Sequence, residues 1–281
     1  MNSNPSRGIP RSGELVGRTR MAAMLIILPP SETKRPAPDE GPTLDIGALS
    51  FPVLTPVRRQ VLDALLATSR EPDAMRRLMV GPRLAEDVAR NGLLHELPTR
   101  PAADTYAGPL YAGLDTASWS TDTWRRAERQ AVIVSALWGA LRPADRIPAC
   151  RLHVCARLIG MDRLEPMWRP LLQPVLTEAA ERRGPILDLR SQTYQAVGHP
   201  AGLDDTTVSL RVRSAAGGAA RIGDVIAKRT RGEVARGLLA SDAEPRDPLD
   251  VADALATRWP IEVDPPAGRM RTWTITLHAP A

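Results

Sequence analysis

Apolar and polar positions along this chain switch between two periods, and the switches lay out a mixed order of strands and helices. Met24–Leu28 (MLIIL) is a short unbroken apolar run, the pattern of a strand buried on both faces. Pro29 and Pro30 stop it, Ser31-Glu32-Thr33-Lys34 follows as a polar loop, and five prolines at positions 36 to 56 keep 35–56 largely extended or looped. Thr55-Pro56 predicts a helix start, with Val57, Val61, Leu62 and Leu65 on its apolar face. Met75–Leu94 reads as a helix end, a Val80-Gly81-Pro82 turn and a second helix with Leu84, Val88 and Ala89 inward. Tyr106–Leu114 is expected as a glycine-punctuated loop. Trp124–Trp138 is expected as one buried helix, since Ala127, Ala131, Val134 and Trp138 recur at helical spacing and Gly139 and Pro143 follow as stops.

Leu164–Arg182 predicts another helix, with Trp168, Leu171, Leu172, Val175 and Leu176 apolar. Pro185–Leu189 (PILDL) is a second candidate for a buried strand. Thr206–Val212 alternates as a strand, and Gly217-Gly218 predicts a hairpin turn into Arg221–Ala227. Thr230-Arg231-Gly232-Glu233 has the form of a capping box, with Thr230 at the N-cap, Glu233 three residues on, and Val234 and Leu238 as the helical face. A helix over Pro248–Arg258 and an alternating strand over Thr272–Leu277 complete the order. The expected class is therefore mixed α/β: a single domain with a central mixed β-sheet flanked by helices. That domain covers 24–278, after a polar extension at 1–23 expected to be disordered, with Met21 or Met24 as alternative starts. No run of about 18 apolar residues occurs, so no membrane span is expected.

Charge sharpens this picture at a few positions. The chain has 281 residues and a net charge of +5, which permits anionic partners such as DNA or a small anionic metabolite. Of 37 basic residues only Lys34 and Lys228 are lysines. A lysine kept where arginine is the habit suggests a task arginine cannot perform, because a lysine can lose its proton when desolvated or crowded by cations. Three predicted strands end in the polar loops 31–34 (SETK), 190–194 (RSQTY) and 227–232 (AKRTRG), and such loops gather on one edge of an open sheet. On that arrangement Lys34, Ser191, Tyr194, Lys228 and Arg231 share a pocket, with Arg142, Arg151 or Arg231 as an anion clamp. One lysine would then act as base or nucleophile, or the cluster would simply hold a phosphate or carboxylate. The plain alternative is a set of separate surface cations.

The turn at Gly81, with Arg83 beside it, resembles the hairpin of a helix-hairpin-helix module, whose backbone N–H groups meet a phosphate. Its single glycine and the acidic Glu86-Asp87 also fit an ordinary helix–helix turn. Cys150, His153 and Cys155 make half of a metal-ligand pattern that no second pair completes, and nucleotide-loop, dinucleotide-fingerprint, serine-elbow and zinc-helix motifs are absent. No cofactor or metal is therefore expected.

Six segments, in order, resemble the YaaA peroxide-stress protein family. They are 25–34 (LIILPPSETK), 108–114 (GPLYAGL), 135–152 (SALWGALRPADRIPACRL), the Trp168 helix, 187–194 (LDLRSQTY) and 226–239 (IAKRTRGEVARGLL). The resemblance runs from Met24 to about Leu277. It implies a cytosolic bacterial protein, expected as a monomer, that protects against hydrogen peroxide by limiting free intracellular iron. It also implies a basic cleft and a helix-hairpin-helix-like element for which DNA binding is proposed; an enzyme acting on a small anionic metabolite is the alternative. The family pattern falls on Ser31, Lys34, Tyr111, Gly113, Gly139, Leu141, Arg142, Pro143, Asp145, Arg151, Ser191, Tyr194, Lys228, Arg231 and Gly232. This chain departs from it at Cys150, where the family usually has tyrosine, at Val154-Cys155, where Met-Gly is usual, and at Ile226, where an aromatic is common.

Overall fold

The structure is a computed structural model that describes residues 24–181, 183–215, 222–268 and 271–280. The predicted extension at 1–23 and the Gly217-Gly218 turn lie outside the described residues.

β1 (Leu25–Leu28) forms where the first apolar run predicts it, with every residue buried. α1 (Thr55–Ser69), α2 (Ala74–Arg77) and α3 (Ala85–Arg90) follow. Thr55 does not cap α1: a short 3-10 turn, Pro52–Leu54, leads into the helix, and the Thr55 hydroxyl is buried with no hydrogen-bond partner among the described residues. β2 (Arg100–Pro101), α4 (Ala102–Thr105) and α5 (Pro109–Leu114) come next, so the expected loop at 106–114 is mostly a short helix.

The expected helix over Trp124–Trp138 divides in two. α6 (Thr121–Gln130) is capped by Ser120, whose Oγ accepts from Thr123 N–H at 3.1 Å, and β3 (Ala131–Ser135) follows directly. Helical spacing and the β-branched run Val132-Ile133-Val134 compete over the same residues. The sheet decides, because β3 buries all five of its residues beside β1. β4 (Gly139–Leu141), β5 (Arg146–Ile147), α7 (Leu164–Ala180), β6 (Ile186–Asp188), α8 (Gln192–Gln195) and β7 (Thr207–Ser214) lead to α9 (Asp224–Ala240). α10 (Pro248–Ala256), β8 (Ile261–Asp264) and β9 (Trp273–Ala279) complete the described chain.

Among the described residues, seven strands form one sheet in the order β4-β3-β1-β6-β7-β9-β8. β3, β1, β6, β7 and β9 run parallel, and antiparallel β4 and β8 close the two edges. β1 and β6 are neighbours, so the loops after them, 31–34 and 190–194, emerge side by side on the carboxyl edge.

α9 corrects the reading of 221–239. Val225, Ile226 and Ala227 lie in its first turn and not in a strand, and Thr230 is inside the helix, donating its hydroxyl to Ile226 O at 3.0 Å. The apolar residues at 225–226 are exposed or half-exposed, as the start of a surface helix allows and a central strand does not.

Candidate functional site

Two glycines fix how α9 meets the rest of the molecule. A Cβ on Gly232 would lie 1.9 Å from Leu110 O, and one on Gly113 would lie 2.1 Å from Arg229 O. α5 and α9 therefore touch backbone to backbone, a contact only glycine permits. This contact explains the GPLYAGL and AKRTRG segments as a packing device. Gly232 is buried in it and presents no donor to a cleft.

The long segment 135–152 is likewise mostly architectural. Arg58 is fully buried and donates Nε to Trp138 O at 2.8 Å and Nη2 to Ser50 O at 2.7 Å and Ala140 O at 2.6 Å. Asp145 accepts from Ser50 and from the Arg142 N–H, which ties the turn. Gly139 adopts φ +69°, and a Cβ there would lie 2.7 Å from the Trp168 ring. Arg142 stacks over Phe51, 5.1 Å from the ring centroid, and donates Nη1 to Ala131 O at 2.9 Å and Arg129 O at 3.4 Å. Those carbonyls close the C-terminus of α6, where a cation is favoured. Arg142 thus sits at the amino edge of the sheet, whereas Lys34 follows the carboxyl end of β1. The two do not form one clamp.

Lys34 lies in a different setting. Its backbone bridges Tyr106, Ala107 N–H donates to Thr33 O, and Arg35 N–H donates to Thr105 O, both at 2.9 Å. The SETK loop is thereby pinned onto the segment before α5. Lys34 Nζ lies 5.6 Å from the Tyr106 ring centroid and donates to Glu32 O at 3.3 Å. Burial pushes the ammonium below the ordinary lysine pKa; Arg151 adds to the effect, while Cys150, Glu32 and Asp87 oppose it. Burial pushes the Cys150 thiol up, with Lys34 acting in the other direction.

A pocket of about 240 Å³ opens over this lysine, lined by Glu32–Pro36, by Ala149, Cys150 and Arg151, and by Leu84, Asp87 and Arg90. The last three belong to the helical element after the Gly81 turn, so that element forms one wall. Gly81 and Arg83 themselves are exposed at its start. Arg90 donates to Asp87 at 2.6 Å. Arg151 donates Nη1 to Glu32 O at 2.9 Å and Nη2 to the Glu32 carboxylate at 2.5 Å. Asn91 anchors the Arg151 backbone from the α3 side, its Oδ1 accepting from Arg151 N–H at 2.8 Å and its Nδ2 donating to Arg151 O at 2.9 Å. His153 Nε2 lies 3.4 Å from the other Glu32 oxygen, and the Tyr194 ring packs edge-on to His153 with centroids 6.2 Å apart. Burial first, then Glu32, pushes the Tyr194 hydroxyl up.

The fold accordingly gathers Lys34 and Arg151 at Glu32, with Tyr194 behind His153 and with Ser31 opening the loop and accepting from Thr33 N–H at 3.3 Å. Ser191 is exposed, and its carbonyl accepts from Tyr194 N–H and Gln195 N–H, both at 2.9 Å. The buried residue of that loop is Arg190, held bidentately by Asp188 and donating to Tyr194 O and Gly198 O. Lys228 is half-exposed on α9 and pairs with Asp224 at 2.6 Å, one turn earlier. Arg231 reaches back to Leu210 O at 3.5 Å, and burial pushes its pKa down. Neither Lys228 nor Arg231 lines the Lys34 pocket. Glu32, Asp87, Arg35 and Cys150 are pocket residues that pattern alone leaves unassigned. The signal for the first two was their spacing from a cation, two residues from Lys34 and three from Arg90.

A larger open groove, about 950 Å³, runs between α1 and the start of α7 and is lined by Gln60, Asp63, Met161 and Met167 among others. It contains no lysine or cysteine. Among the described residues, no group of three His, Cys, Asp or Glu side chains is placed to hold a metal, and no helix is long and apolar enough to cross a membrane.

The chain is 38% identical over 258 residues to a UPF0246 protein of Streptomyces coelicolor, covering 90% of this chain and 98% of that one. It is 36% identical over 258 residues to a UPF0246 protein of Corynebacterium efficiens, covering 90% and 100%. A UPF0246 protein of Corynebacterium glutamicum is 33% identical over 233 residues, covering 81% and 90%. The family described as "Peroxide stress protein YaaA" matches residues 24–256, and this chain belongs to that family.

Proposed function

We propose that the chain serves the peroxide-stress response through the Lys34 pocket, which binds a small anionic metabolite and offers Lys34 as an acid–base amine. The observation that carries this reading is the desolvated Lys34 ammonium inside a pocket also lined by Arg35, Arg90 and Arg151. A lysine with lowered proton affinity exchanges its proton nearer neutrality than a surface lysine does. An anion entering the pocket meets two cations, Lys34 and Arg35, that form no ion pair with a carboxylate among the described residues. Limiting free iron, and so sparing DNA and protein in the cytoplasm, is the cellular outcome assigned to this activity.

A second reading, DNA binding, is favoured by the exposed Gly81–Arg83 turn, which leads into the same wall of the pocket. There a backbone phosphate would replace the metabolite. Local charge supports this reading less: Arg76 and Arg77 are spent on Asp73, and Arg90 on Asp87.

Peroxide survival of cells lacking the protein, complemented by variants, tests the proposal. Lys34→Ala and the charge-keeping Lys34→Arg should both fail to restore survival, while Lys228→Ala should restore it. Full rescue by Lys34→Arg would reduce the site to simple electrostatics. Full rescue by Lys34→Ala would remove the pocket from the function. For the second reading, duplex binding that weakens steeply with salt and with Arg83→Ala is required.

A further inference from the structure

The Lys34 pocket already contains an anion of its own. Glu32 accepts at its backbone carbonyl from both Lys34 Nζ (3.3 Å) and Arg151 Nη1 (2.9 Å). Its carboxylate takes Arg151 Nη2 at 2.5 Å and faces His153 Nε2 at 3.4 Å. The pair is unevenly buried: the Arg151 side chain is 15% exposed and that of Glu32 is 46% exposed. The cation is therefore the inner partner of the pair and the carboxylate the outer, more solvent-exposed one. The loop that carries it is held by backbone bonds at Thr33, Lys34 and Arg35 that do not involve the carboxylate.

We propose that Glu32 is a displaceable internal anion that sets the charge a ligand must carry, so that the pocket takes the dianionic head of a phosphate monoester and turns away monoanionic carboxylates and phosphodiesters. This rests on the reading of the Lys34 pocket as a ligand site. The argument is one of exchange. The pocket is lined by Lys34, Arg35, Arg90 and Arg151 against Glu32 and Asp87, and Asp87 is engaged by Arg90. A carboxylate that replaces the Glu32 carboxylate on Arg151 trades one ion pair for an equal one and gains little. A phosphate monoester carries about two charges near neutral pH and three acceptor oxygens, so it can take Arg151 and still satisfy Lys34 and Arg35. A volume of about 240 Å³ suits such a head group and not a tract of duplex.

Calorimetric titration of the full chain with inorganic phosphate and with acetate as probes tests the idea, comparing wild type, Glu32→Gln and Lys34→Ala. Phosphate should bind wild type and acetate should not. Glu32→Gln should bind phosphate about tenfold more tightly and gain acetate binding; Lys34→Ala should lose phosphate. Glu32→Asp, which keeps the charge but shortens its reach, should fall between wild type and Glu32→Gln, and it serves if the glutamine variant proves unstable. Wild-type phosphate binding with equal or weaker binding by both Glu32 variants would overturn the role of Glu32 and leave the pocket standing. Absence of phosphate binding in wild type and in both Glu32 variants would overturn the pocket reading itself.

Discussion

Lys34 and Lys228 are the only two lysines of the chain, and the fold puts them in opposite settings. Lys34 is pinned by a strand-like bridge to Tyr106, desolvated, and set in a pocket whose other cations are arginines. Lys228 stands on the outer side of α9, half-exposed, with a carboxylate one turn away. In sequence Lys228 looks the more crowded, with Arg229 and Arg231 beside it. On a helix, however, successive side chains point about 100° apart, so neighbours in sequence are not neighbours in space. The comparison shows that burial, and not a run of basic letters, makes a lysine chemically unusual here. It also shows that the block around Lys228 earns its place through Gly232, by a helix crossing.

That contrast can be broken most forcefully at the crossing. Gly232→Ala should destabilise the protein by about 3 kcal/mol, because its Cβ meets the Leu110 carbonyl and backbone cannot step aside as a flexible side chain would. Chemical denaturation would show it, and a loss below 0.5 kcal/mol would remove the crossing from the account. Next in size is ligand affinity. Lys34→Ala should weaken phosphate binding at least about tenfold, whereas Lys228→Ala should change it less than about twofold. Equal losses in a titration would place both lysines in one site after all.

A smaller effect concerns stability and pH. Lys34→Met should stabilise the ligand-free protein at pH 7 by up to about 1 kcal/mol, since it removes a half-buried, desolvated ammonium. The sign follows from linkage. The folded-state pKa of Lys34 is depressed, so its destabilisation is full below that value and disappears as pH rises to the ordinary 10.5, where the unfolded chain also loses the proton. The gain measured by thermal melting should therefore shrink toward pH 10.5, and a gain that grew with pH would contradict the assignment. Smallest of all, Asp224→Ala should cost no more than about 0.5 kcal/mol, the scale of an exposed pair one helical turn apart.

Much of the scaffold was legible because its strands are short apolar runs with clear stops: 25–28, 186–188 and 207–212 appear where pattern places them. The division at Gln130–Ala131 was not legible, because β3 is a strand through its pairing with β4 and with β1, the latter a contact 105 positions away in sequence at Ile26 and Ala131. The start of α9 was hidden for a local reason. Val225-Ile226-Ala227 satisfies a strand-end pattern as well as a first helical turn, and Thr230-Glu233 imitates a cap inside a helix. Of the candidate site, Lys34, Arg151 and Tyr194 were readable as unusual residues, but Glu32, the partner of Lys34 and Arg151, was not, since its meeting with Arg151 spans 119 positions. Arg142 shows the opposite error: a cation in a distinctive motif, spent on closing a helix end.

The most direct test of the central claim is nitrogen NMR of the protein labelled only at its lysine side chains, which should give two Nζ signals, assigned with Lys34→Ala. The Lys34 signal should titrate below the ordinary lysine value of 10.5 and move on addition of inorganic phosphate, while the Lys228 signal stays still with phosphate. A Lys34 signal that titrates at 10.5 and ignores phosphate would contradict the claim that this lysine, half-buried in its pocket, is the working group of the protein.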